Sequence, residues 1–301
     1  MKSWICITCG LVIQTFFLVF VYGQEIEPRN YAVVPKNMNL VALGYSVSHG
    51  NVVADPTAYI QGLVITTSAV SVVYLHTFSF FKKLVKIQVT QPFVFMNGIA
   101  KVNDKDTAGV RTGFSDARIR IGINLLGSPA MAMKDFQRFR EETVLGVSVV
   151  FSVPVGQYYT DKRINIGSNR WGIKPEFGFS KRQGAWYFET YAGVWFFTPN
   201  NQFLDTSTVK TNPLLSFQGH ICYYFKKGTW ISVNGGYIAG SLTTLDGAPR
   251  NDNQSNFRMG ASLSFPITRK QSLKFLFNTS LSTRAGPNYT AISAIYQYSW
   301  F

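Results

Sequence analysis

Between Arg170 and Thr198, apolar and polar residues alternate with a period of two. Trp171, Ile173, Pro175, Phe177 and Phe179 share one parity; Arg170, Gly172, Lys174, Glu176, Gly178 and Ser180 share the other. After Lys181-Arg182-Gln183-Gly184 the pattern resumes. Trp186, Phe188, Thr190, Ala192, Val194 and Phe196 then oppose Tyr187, Glu189, Tyr191, Gly193, Trp195 and Phe197. This periodicity predicts a β-hairpin. Its strands exceed the usual length in soluble sheets and match the roughly ten residues a tilted strand needs to cross a bilayer. Charge on one face and aromatic bulk on the other suit a wall with water inside and lipid outside.

The same alternation predicts further strands at Met38–Val47, Val70–Phe81, Leu84–Met96, Asp116–Leu125 and Thr143–Val153 before the hairpin. After it come Pro213–Phe225, Thr229–Gly240, Asn256–Phe265, Leu273–Ser282 and Tyr289 to the C-terminus. The intervals 48–68, 97–113, 154–168, 199–212 and 241–254 read as long polar loops, while the other connections are mostly tight and Lys-rich. Pro129–Glu142 reads as a short helix inside a connection and breaks the short-turn rule. About twelve strands with loops alternating in length predict an all-β fold, an antiparallel transmembrane β-barrel spanning 38–301. A soluble sandwich or lipocalin-like barrel also alternates. Strand length, loop asymmetry and the aromatic ending Tyr296, Tyr298, Trp300 favour the membrane barrel, although Phe301 falls on the opposite parity.

Composition agrees. A hydrophobic content of 46% with a mean hydropathy of only +0.05 fits alternating strands and not apolar helices, and aromatics reach 15%, as interfacial girdles require. Lys2, the apolar run Trp4–Val21 and the small residue Gly23 predict a signal peptide at 1–23, followed by a polar periplasmic lead-in at 24–37. Cys6 and Cys9 leave with the signal; Cys222 stays and has no partner for an intramolecular disulfide. The net charge of +14 becomes +13 (14 − 1) without Lys2. Its basic residues are scattered among strands and turns, so nucleic acid is not an expected partner. Anionic lipid head groups, including lipopolysaccharide, and a small solute are. The C-terminal strand is the expected signal for the barrel assembly machinery, and the outer membrane of a Gram-negative bacterium the expected location.

Three motifs carry a family resemblance: Gly127-Ser128-Pro129-Ala130, Pro154-Val155-Gly156-Gln157-Tyr158 and Asn165-Ile166-Gly167-Ser168-Asn169-Arg170-Trp171. Trp195–Asn200 and Asn256–Gly260 extend it over most of the chain. In these the sequence resembles the outer-membrane transporter-like proteins of the MetA pathway of phenol degradation. The resemblance implies an outer-membrane channel for aromatic or other small hydrophobic compounds, and it brings no functional residues with it.

The polar parities collect candidate pore-lining residues: Lys86, Arg118, Arg120, Arg170, Lys174, Glu176, Glu189, His220, Arg258 and Lys274. Cations outnumber carboxylates by seven to two, which favours anions in a low-dielectric channel. The same side chains could instead pair across the lumen and fill it, since about twelve strands enclose a modest interior. Tyr187, Tyr191 and Trp195 could stack an aromatic solute or simply pack. A barrel-embedded lipid hydrolase needs a Ser beside a His. His49, His76 and His220 are the only histidines, and none sits in such a motif, so no catalytic role is expected. Asp104 with Asp106, and Asp246 with Asp252, read as solvated loop charges; no cofactor or metal is expected. A structural or adhesive role through the outer loops is the alternative function.

Overall fold

The computed structural model describes residues 26–53, 60–102, 105–225 and 228–301; the segment expected to be a signal peptide lies outside them. Its strands are β1 (Asn39–Val53), β2 (Ile60–Phe80), β3 (Lys83–Val102), β4 (Lys105–Phe114), β5 (Ala117–Leu126), β6 (Thr143–Val153), β7 (Gly172–Gln183), β8 (Trp186–Phe197), β9 (Asn200–Phe203) and β10 (Ser207–Thr211). They continue as β11 (Leu214–Tyr224), β12 (Trp230–Gly240), β13 (Thr243–Leu245), β14 (Ala248–Pro249), β15 (Gln254–Pro266), β16 (Gln271–Thr283) and β17 (Gly286–Trp300).

Each long strand pairs antiparallel with the next, and β1 closes on β17 over the full run Asn39↔Trp300 to Val53↔Gly286. β4 and β5 both pair with β3, at Phe93–Val102 and Val85–Thr90 respectively. They form a single wall position interrupted at Ser115 and Asp116, so the closed barrel has twelve strand positions.

Alternation dictates the wall. Leu43, Phe177 and Val233 are 54%, 47% and 61% exposed on the outer face. A belt of such side chains around a closed sheet belongs in lipid, because soluble surfaces do not carry apolar patches of that extent. Aromatic pairs mark its rims: Trp186 with Tyr223 and Tyr298 with Trp300 at the end nearest the termini, and Phe93 with Phe95 and Phe114 at the other. The residues predicted for the outer face of the 170–198 hairpin do face outward.

Two sequence expectations are corrected. The intervals 48–68 and 97–113 are mostly strand: β1 runs on to Val53, β2 starts at Ile60, and β3 and β4 pair up to Val102↔Lys105. Above the bilayer no face has to be apolar, so these extensions are held by the hydrogen-bond ladder and leave no alternation to read. The segment 129–142 does hold the expected short helix, as the single turn α1 (Met133–Phe136). The intervals 199–212 and 241–254 also carry unexpected order, since β9, β10, β13 and β14 join into a small sheet over the mouth around Phe203 and Val209. There the backbone N–H of Thr208 donates to Asp246 (2.7 Å), holding that exposed carboxyl below its usual range.

Candidate functional site: a plugged lumen

Ile26–Asn37, expected as a polar lead-in, lies inside the barrel. Asn37 enters beneath β2, where its N–H donates to Thr77 O (2.7 Å). The chain then crosses to β6 and β7 at Tyr31, turns at Arg29 (φ 69°) and reaches β12 at Ile26. Space for it is made by missing side chains. An added Cβ at Gly146 or Gly178 would overlap the Tyr31 ring, and one at Gly236 would lie 3.1 Å from Ile26. Tyr31 is buried with Val33, Met131, Val144 and Tyr191, and Phe136 and Phe139 of the 127–142 connection pack onto the same cluster. That connection is therefore the floor under the plug, tied to it by Lys36 N–H donating to Met131 O (2.8 Å).

Charge fastens the segment. The Arg29 guanidinium donates to Glu189 and Glu141, both at 2.9 Å, and to the Tyr224 hydroxyl at 3.1 Å, and it lies 4.0 Å from the Tyr187 ring centroid. Its backbone N–H adds a bond to Glu189 (2.7 Å). Lys86 donates to the carbonyls of Asn30 (3.0 Å) and Ala32 (2.6 Å). Glu27 pairs with Lys274. The Tyr31 hydroxyl meets Ser148 (3.0 Å) and Glu176 (3.2 Å), and Glu176 also receives Arg120 and Lys174 (2.6 Å).

All ten candidate charged residues point into the barrel. Lys86, Glu189 and Lys274 hold the plug directly, and Glu176 does so through Tyr31. Arg118, Arg120, Arg170, Lys174 and Arg258 surround a smaller space of about 120 Å³ beside Trp195 and above the plug. His220 is buried, with Nδ1 2.9 Å from Asn234 Oδ1 and its ring against Tyr191. Tyr187 and Tyr191 are buried under the plug, the latter donating to Glu189 (2.7 Å). Cys222 is buried on β11 opposite Tyr187.

The opposite half of the lumen differs. Beside the plug lies a chamber of about 700 Å³. Along β1, β2, β16 and β17 it is lined by Ala42, Gly44, Ala69, Val73, Leu75, Leu276 and Ile295, with Ser46, Ser71, Asn278 and Ser293 between them. Above it, Ile164 and Ile166 of the 154–171 loop pack inward on Ile65, Val94 and Met96. This loop contains two of the three motifs, and Asp116 anchors it. Gly156 N–H donates to Oδ1 (3.0 Å), while Ser168 N–H and hydroxyl reach Oδ2 at 2.9 and 2.5 Å. Gly156 and Gly167 touch backbone to backbone, and an added Cβ on either would lie within 2.7 Å of the other.

Sequence reasoning missed Glu27, Arg29, Tyr31, Glu141 and Asp116. The available signal was complementary: inward glycines at 146, 178 and 236 leave a void that something outside the strands has to fill.

The sequence profile described as "Putative MetA-pathway of phenol degradation" matches residues 48–297. A comparison with curated protein sequences gives no match. Among solved structures, an outer-membrane channel from Pseudomonas putida F1 superposes with a TM-score of 0.75 at 18% identity, covering 92% of this chain and 100% of that one. The β-domain of the Bordetella autotransporter BrkA superposes with a TM-score of 0.51 at 10% identity, covering 88% and 100%.

Proposed function

Since the chain belongs to the MetA-pathway of phenol degradation family, we propose that its barrel sits in the outer membrane as a passive channel for small apolar or aromatic solutes, with the N-terminal segment as its gate. One observation carries this reading: the lumen is two-sided. The plug's ion pairs lie to one side of the lumen, whereas the chamber, although Lys86, Asp116, Arg118 and Lys274 also border it, lies along β1, β2, β16 and β17 against small and uncharged side chains. Transfer of an apolar solute into such a surface is favourable by about 25 cal/mol per Å², and a neutral molecule leaves the ion pairs on the other side undisturbed. The cations around the upper space give any ionic leak a preference for anions. Function resides in the chain's own residues without catalysis or cofactor.

The test uses intact Gram-negative cells expressing the protein and 1-N-phenylnaphthylamine, an uncharged aromatic dye that brightens when it passes the outer membrane. Expression should accelerate its uptake several-fold over cells carrying an empty vector, with no matching gain for a disaccharide. Equal uptake with and without the protein would sink the apolar-channel reading. Reversal potentials in a planar bilayer under a salt gradient test the charge preference; anion selectivity should weaken in Arg118→Ala plus Arg120→Ala.

A further inference from the structure

The wall of the barrel is incomplete at one place. β2 and β3 have 21 and 20 residues, against 11 in β6 and 12 in β7. At about 3.3 Å per residue and a tilt near 40°, 20 residues rise about 50 Å and 11 rise about 28 Å. The lipid-facing band is about 25 Å tall. β6 thus ends at the outer rim while β3 and β4 continue beyond it. β4 pairs with β3 alone, and among the described residues no strand flanks its other edge.

The space between β4 and the start of β7 is closed by the irregular 154–171 loop. The seal against β4 and its junction with β5 consists of Gln157 N–H to Phe114 O (2.8 Å), Arg111 Nε to Ile164 O (3.3 Å), Ser115 hydroxyl to Ile166 O (3.5 Å) and the Asp116 bonds. Its inner side borders the chamber through Ser115, Asp116, Ile166 and Ser168. Its outer side carries exposed Phe114 (55%), Val155 (57%) and Trp171 (46%). Large apolar groups at that height sit where a bilayer meets water.

We infer that this seam is a lateral port, through which an uncharged apolar solute dissolved in the outer leaflet exchanges with the chamber when the 154–171 loop lifts from Asp116. This rests on the apolar-channel reading above. A ladder of strand hydrogen bonds cannot part locally without leaving many donors unpaired. Here few bonds separate lipid from chamber, and apolar side chains stand on both sides: Phe114 and Trp171 outside, Ile164 and Ile166 inside. The solute would take the place of the two isoleucines against Val94 and Met96, passing the polar edge formed by Ser115, Asp116 and Ser168.

The test pins the loop with Asp116→Cys plus Ser168→Cys, positions whose side-chain oxygens lie 2.5 Å apart. The pair is closed by an oxidant or by a short bis-maleimide and, for the disulfide, reopened with a reductant. Cys222 is buried and does not compete. Each preparation is its own folding control, because closed and open states differ by one covalent link. The expected result is naphthylamine-dye uptake at least fivefold slower when pinned and restored on reduction, with ion conductance in a planar bilayer the same in both states. Dye uptake that is fast in both states overturns the port and leaves the channel reading standing. A fall in dye uptake and conductance together also overturns it, because the loop would then gate the axial path. No protein-dependent uptake in the wild type overturns both readings.

Discussion

Removing the Arg29 side chain should release the plug. The guanidinium is 9% exposed and bridges Glu189, whose side chain is fully buried, to Glu141 at 9%. Truncating one partner of a buried ion pair costs about 3–5 kcal/mol, because the carboxylate left behind is neither hydrated nor neutralised. The Tyr187 contact adds about 0.5–2 kcal/mol. These penalties fall on the docked state alone, since release hydrates both carboxylates. At 1.4 kcal/mol per factor of ten, 3–5 kcal/mol moves the docked-to-released ratio by roughly 10² to more than 10³.

Arg29→Ala is therefore expected to raise single-channel conductance in long, stable steps while the barrel keeps its heat-modifiable mobility on gels. Cys222 reports independently. It lies on β11 next to Tyr187, beneath the plug, and is fully buried. A thiol reagent should modify it slowly in the wild type and at least tenfold faster in Arg29→Ala. Adding Glu189→Gln to Arg29→Ala should recover part of the closed state, since a neutral amide tolerates burial better than an orphaned carboxylate. A closed, thiol-protected Arg29→Ala barrel would refute the reasoning: the plug would be held by the packing of Tyr31 and Ile26, with its ion pairs incidental.

Gly178→Ala should open the channel without touching a charge, because the new methyl occupies the position of the Tyr31 ring; unchanged conductance would show that the ring can move aside at no cost. Tyr31→Ala should relieve that clash in the double variant, bringing thiol protection of Cys222 partway back. Phe203→Ala, in the fully buried centre of the surface sheet, should cost that sheet about 3–5 kcal/mol. Limited proteolysis should then cut within 198–213 or 241–253, while the thermal unfolding of the barrel stays unchanged; a large fall in barrel stability would mean that the sheet braces the wall.

What could be read from the sequence follows from where the solvent changes. Within the bilayer, lipid on one side and water or plug on the other force strict alternation, so Thr143–Val153 is legible to the residue and the 170–198 hairpin in its facing, although Lys181, Arg182 and Gln183, read as its turn, continue β7. Above the outer rim the outer face meets water, and the inner face is apolar only where the 154–171 loop covers it, at Val52, Leu63 and Ile65. Ser48-His49-Gly50-Asn51 then looks like a turn although it pairs with β2 and β17 on both sides.

The plug was hidden for a different reason. A segment that lines a lumen buries its polar groups against other polar groups, so Glu27, Arg29 and Asn30 carry no hydrophobic signature and resemble any solvated leader. Their partners were visible, since Lys86, Glu176, Glu189 and Lys274 all stood on inward parities, but a list of inward charges does not say what they hold. The glycines are more informative than the charges. A barrel wall that omits side chains at 146 and 178, on neighbouring strands at matching height (Gly146↔Gly178), has weakened its own strands for a bulky occupant. Here the occupant is the Tyr31 ring. By the same logic, the close backbone approach of Gly156 and Gly167 marks the 154–171 loop, which holds two of the three motifs, as built to lie flat against Asp116.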